Sequence, residues 1–111
     1  MTPRAATLIV TLLLLSSSSS AQWKNLKILP PTISKDELKS VMKAQAKALG
    51  VECDYCHHMP NTEFETEKKK LAREMMRMVS ELNSQFLRNR PNKVGCATCH
   101  RGKRTPDVVT K

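Results

Sequence analysis

The run CDYCHHMP occupies residues 53–60, and CATCHRGK at 96–103 half repeats it. Together they use all four cysteines of the 111-residue chain and two of its three histidines. Paired thiols at this spacing admit three chemistries. Four cysteines could close two disulfides in an exported protein, or supply four thiolates to zinc. Neither reading explains why histidine follows each pair directly. Cys-x-x-Cys-His is the attachment signature of a c-type haem, with two thioethers to the porphyrin and a proximal imidazole on the iron. Two matches that exhaust the cysteines favour that reading, and predict two covalently bound haem c groups. The cofactor-binding residues are then Cys53, Cys56, His57, Cys96, Cys99 and His100, with His57 and His100 as metal ligands.

The N-terminus bears on compartment. Arg4 precedes an apolar run from Ala5 to Leu15, and a serine tract ends in Ser19-Ser20-Ala21. This is the pattern of a secretory signal peptide over residues 1–21, cut before Gln22. A membrane anchor is the alternative, but the apolar run is about half of the ~20 residues that a bilayer core requires. Export to the periplasm is therefore expected, with residues 22–111 as one dihaem domain. Without Arg4 that segment carries a net charge of +8. So short a chain buries little surface and usually needs a disulfide, metal, cofactor or partner. Its aromatic side chains are only Trp23, Tyr55, Phe64 and Phe86, so something besides side chains is expected to fill the middle.

Outward from the motifs, the pattern is helical. Residues 22–33 read as an extended lead-in, since Pro30 and Pro31 disfavour helix before them. Ser34 with Glu37 forms a capping-box pattern, Asp36 adds charge to the first turn, and Gly50 is placed as a C-cap. These signals predict a helix over 35–49 that delivers the chain into Cys53. Residues 58–65 read as a loop, marked by Pro60 and Asn61. A second helix is predicted from about Thr66 through the run ending at Asn89. Leu71, Met75, Met78, Leu82 and Phe86 form its apolar stripe. Lys68, Lys69, Lys70, Arg73 and Arg77 are assigned mainly to the opposite, solvated side. No β-strand pattern appears. The expected fold is a mostly α small cytochrome of two helix–turn–CxxCH units, about 34–57 and 66–100.

Two irons need two distal ligands, and the chain holds one further histidine, His58. Bis-histidine ligation at both haems within one chain is thereby excluded. Met42 lies on the inner face of the first helix, and Met75 on that of the second, with Met76 and Met78 nearby. A methionine stripe at helical spacing is ordinarily core packing. Two irons lacking ligands favour thioether ligation instead, by Met42 and by one of the Met75 cluster. Methionine ligation raises the potential relative to a second imidazole. His58 is expected at the rim, as a surface or propionate-contacting residue.

The stretches NLKILPPTISKDELKSVMKAQAKALGVECDYCH, LAREMMRMVSELN and VGCATCHRGKRTP resemble the tetrahaem cytochrome subunit of photosynthetic reaction centres. More closely, they resemble small proteins that carry only one haem pair of that subunit. The resemblance covers nearly all of residues 22–111. It implies a helix before each motif, running parallel to the haem plane and supplying the distal methionine, and a local two-fold axis relating paired haems. By position it assigns Met42 to the first haem and favours Met75 for the second, with Met76 and Met78 still open. The family's post-haem CHRG pattern matches Arg101 and Gly102. Arg101 then either pairs with a propionate or is a solvent-facing turn residue. Two haems where the full subunit has four leave open whether the host is photosynthetic.

The expected function is one-electron transfer between redox partners, without catalysis. Ionised propionates would bring the net charge to about +4, which suits an acidic or membrane-associated partner. Nucleic acid is not an expected partner. The alternatives are a catalytic dihaem protein of peroxidase type, which needs an exchangeable iron site, and a module whose self-assembled copies align haems into a wire, with His58 reaching a neighbouring copy.

Overall fold

The computed structural model describes residues 22–108, so the expected signal peptide over 1–21 lies outside the described residues. Three helices carry the architecture: α1 over Lys35–Leu49, α2 over Glu67–Glu81 and the short α3 over Cys96–His100. No strand occurs among the described residues. The chain is mostly α, as its sequence predicts.

α1 begins and ends where its caps dictate. The Ser34 hydroxyl accepts from the Glu37 N–H, while the Glu37 carboxylate accepts from the Ser34 N–H, a reciprocal box that satisfies two otherwise orphaned donors. Gly50 terminates the helix at φ 64°, ψ 40°, its N–H returning to the Lys47 carbonyl at 3.2 Å. Glycine reaches this left-handed region without a Cβ penalty. A second constraint applies here. The Gly102 N–H donates to the Ala48 carbonyl at 2.8 Å, and a Cβ on Gly50 would lie 2.1 Å from the Gly102 carbonyl oxygen. The turn after the second motif thus seats directly on the end of α1. Each motif follows its own helix in sequence, and in space the two are neighbours at the C-terminal end of α1.

α2 starts at Thr66, whose hydroxyl accepts from the Lys69 N–H at 3.1 Å and donates to the Cys56 carbonyl at 2.8 Å. One side chain caps the helix and ties it to the first motif. The regular α pitch stops at Glu81, short of the predicted extent. Leu82–Phe86 widens into a π-helical stretch closed by the Leu87 N–H on the Leu82 carbonyl. Asn83, inside that stretch, donates to the Val94 carbonyl at 2.8 Å and accepts from the Val94 N–H at 2.9 Å. Lys93 donates to the Leu87 and Arg88 carbonyls. The connector to Cys96 is thereby folded back on the helix end.

The expected solvated cationic face of α2 needs correction at two positions. Lys69 is 9% exposed, and its ammonium donates to the Thr62 and Phe64 carbonyls. Arg73 is largely covered, bonding both Glu65 oxygens at 2.8 Å and the Asn25 carbonyl at 3.3 Å. Lys27 adds a 2.9 Å ion pair to Glu65, and Asn25 donates to the Glu63 carbonyl. The lead-in is therefore a strap clamped to the 58–65 loop and α2, with Trp23 Nε1 bonded back to the Ile33 carbonyl at 3.0 Å.

The predicted apolar stripe faces a gap. Ala48 is the one buried apolar residue among those described, while Leu71 is 52% exposed and Phe86 74%. α1 and α2 do not close a core between them.

Candidate haem-binding cleft

Between α1 and α2 lies an open cleft with a cavity volume of about 210 Å³. Met42 and Leu49 of α1 line it, with Leu71, Met75, Met78 and Val79 of α2. Both motifs open onto it. Cys53, Cys56 and His57 stand on the first side, and Cys96, Cys99 and His100 on the second. The first motif enters through a 3₁₀ turn at Cys53–Tyr55, and the second forms α3 itself. Thr98 braces α3 by accepting the Gly95 N–H at 2.9 Å.

The imidazoles are prepared alike. His57 Nδ1 lies 3.1 Å from the Thr62 carbonyl oxygen, and His100 Nδ1 lies 2.9 Å from that of Lys103. A carbonyl can only accept, so each Nδ1 carries a proton, and in the neutral imidazole Nε2 is then the ligating nitrogen. A metal-ligating histidine usually donates its other ring N–H to a carbonyl or carboxylate in this way. His58 is exposed and is not part of the cleft wall.

All four cysteines carry free thiols. Among the described residues no three His, Cys, Asp or Glu side chains converge as a metal-holding group. The thiols therefore stand as two separate pairs beside an apolar space, which fits attachment of porphyrins and not a shared tetrathiolate. Burial raises the Cys56 thiol's pKa, partly offset by Lys68 and Lys69.

The methionines separate by environment. Met75 and Met78 are 37% and 44% exposed, toward the cleft. Met76 also lines the cleft but is half-buried, with its sulfur 3.6 Å from Gln45 Nε2 of α1. Met42 is half-buried on the facing wall.

Cations gather at the first motif. Lys68 Nζ sits 4.8 Å from the Tyr55 ring centroid, and the Arg104 guanidinium 5.6 Å from it. The Lys68 ammonium, assisted by Arg104, lowers the Tyr55 phenol's pKa below the usual tyrosine value. Arg104 lines the cleft, whereas Arg101 is an exposed turn residue at φ 53°. In the sequence Arg104 reads only as part of a basic cluster with Arg101 suited to docking, because nothing in a linear pattern shows that the tail folds back across Tyr55. The sequence likewise hides the roles of Lys69 and Thr62, which depend on how the 58–65 loop closes.

The model of the photosynthetic reaction centre cytochrome c subunit family matches residues 13–110. A stretch of 58 residues is 45% identical to cytochrome c-554 of Chloroflexus aurantiacus. That match takes in 48% of this chain and 14% of the relative, so the chain spans a small part of that protein's length. The family is one of c-type cytochromes, which hold haem c covalently, and the free thiol pairs, oriented imidazoles and apolar cleft are the donor set such a group requires. The chain belongs to the photosynthetic reaction centre cytochrome c subunit family.

Proposed function

We propose that the protein is an exported dihaem cytochrome that passes single electrons between redox partners in the periplasm. The observation that carries this reading is the shared cleft, onto which two complete Cys-x-x-Cys-His sets open together. Cys53 and Cys56 would hold one porphyrin through thioethers with His57 as proximal ligand, and Cys96, Cys99 and His100 the other. Met42 and Met75 are the proposed distal ligands. Haem supplies one-electron chemistry, its iron alternating between ferric and ferrous forms.

The chain's own residues supply orientation, ligation and charge. The Thr62 and Lys103 carbonyls hold the imidazoles with Nε2 free. Leu49, Leu71 and Val79 would exclude water from the cleft. Lys68 and Arg104, neither ion-paired among the described residues, offer positive charge for propionates beside Tyr55. Along α1, Lys35, Lys39, Lys43 and Lys47 recur every fourth residue, all exposed. Like charges at this spacing oppose helix formation slightly. They suit docking to an acidic protein partner, with association weakening as salt rises.

Carbon monoxide binding and the ferric spectrum test the carrier reading. Two low-spin haems that ignore carbon monoxide are expected. A high-spin haem that binds carbon monoxide and turns over peroxide would favour catalysis instead.

A further inference from the structure

Lys69 is the one buried charged residue among those described, and it has no carboxylate within ion-pair distance. Its ammonium is satisfied by two backbone carbonyls, Thr62 and Phe64, each at 2.5 Å. Burying a cation on neutral acceptors is costly, and a solvated lysine would serve a surface helix as well. The Thr62 carbonyl has a second task. It also accepts the Nδ1 proton of His57. The equivalent carbonyl for His100, that of Lys103, accepts the imidazole proton, while the Lys103 ammonium is drawn away to Asp107 at 2.8 Å. The acceptors of the two proximal histidines thus differ: a buried cation shares that of His57.

We infer that Lys69 is a positioning residue that tunes the first haem, raising its potential above that of the second through the Thr62 carbonyl. The inference rests on the dihaem reading above. An acceptor on Nδ1–H makes an imidazole a stronger donor to iron, which favours the ferric state. A cation on the same oxygen draws electron density away and weakens that hydrogen bond. The buried positive charge opposes the ferric ion directly, with the same sign. Glu65, Glu63 and Arg73 are the other charges close to Lys69. Glu65 is already committed to Lys27 and Arg73, and neither Glu65 nor Glu63 lies within ion-pair distance of the Lys69 ammonium. Two unequal haems would give the pair a direction, with the electron residing preferentially on the first.

The test is a redox titration of the mature holoprotein as wild type, Lys69→Gln, Lys69→Arg and Lys70→Gln. Lys69→Gln is expected to lower one potential by about tenfold in the ferric–ferrous equilibrium, about 59 mV for one electron. The other potential and the spin state stay unchanged. Lys69→Arg keeps the charge and is expected to restore most of the shift. Lys70→Gln removes an exposed charge one residue along, paired to Glu67 at 2.6 Å, and is expected to move neither potential. Equal effects of the Lys69→Gln and Lys70→Gln variants, or no shift in either, would overturn the tuning role while leaving the two haems in place. A wild type with fewer than two haems would instead overturn the underlying reading. Should Lys69→Gln not fold, lysine-ammonium NMR of the wild-type holoprotein decides. One ammonium with slowed exchange and through-bond coupling to the Thr62 and Phe64 carbonyls is expected, and its absence overturns the inference.

Discussion

At the residue scale, the histidine inventory and the methionine environments divide the work. One spare imidazole cannot serve two irons, and His58 stands exposed away from the cleft wall. Thioethers are the proposed distal ligands. Met42→Ala is expected to remove the methionine–iron absorption from one haem while both stay covalently attached, read by spectrum and mass together. At the second haem, Met75→Ala is expected to do the same. Met76→Leu is expected to leave both bands intact, because that sulfur is engaged with Gln45 between the helices. The six motif residues were legible because their chemistry is local in sequence. Lys69, Thr62 and Arg104 were not, since each acts on a partner that only loop closure or tail folding brings near.

At the scale of elements, α1 was legible from end to end because Ser34, Glu37 and Gly50 are local stop and start signals. The end of α2 was not, because the π-helical stretch answers to Val94, eleven residues from Asn83. The seating of the second motif on α1 was also hidden. It rests on a backbone approach that leaves no side-chain signature except two glycines. That approach is testable. Gly50→Ala is expected to cost more than the ~1–2 kcal/mol of left-handed strain alone, because its Cβ meets the Gly102 backbone. Gly102→Ala, at φ +83° with open space around it, is expected to cost only the strain. Thermal melts of the holoprotein would rank the two.

The strap over α2 carries a pH signature of its own. Hydrogen bonds from Lys27 and then Arg73 lower the Glu65 carboxyl's pKa to about 2. A group depressed on folding stabilises fully above its ordinary value, near 4.5, and that contribution fades as pH falls toward about 2. The Glu65→Gln variant is therefore expected to lose stability at neutral pH and to show a flatter acid limb than wild type. Far-UV circular dichroism of both across that window would read it.

At the scale of the whole molecule, the fold is a frame around something the polypeptide does not provide. Two helices present Leu71, Met75, Met78 and Met42 to a gap, and Ala48 is the one apolar side chain buried among the described residues. The thin aromatic content of the sequence pointed to this, and the open cleft is its structural counterpart. Protein lacking the cofactor is expected to lose a cooperative melt, with the holoprotein melting as one unit. No helix among the described residues is long and apolar enough to cross a membrane. The proposal that this one cleft holds two haems has a direct readout. It is tested most directly by the intact mass of the mature protein produced with cytochrome c maturation. The account predicts the polypeptide plus two haem masses, surviving denaturation. A single haem mass, or haem that denaturation releases, would contradict it.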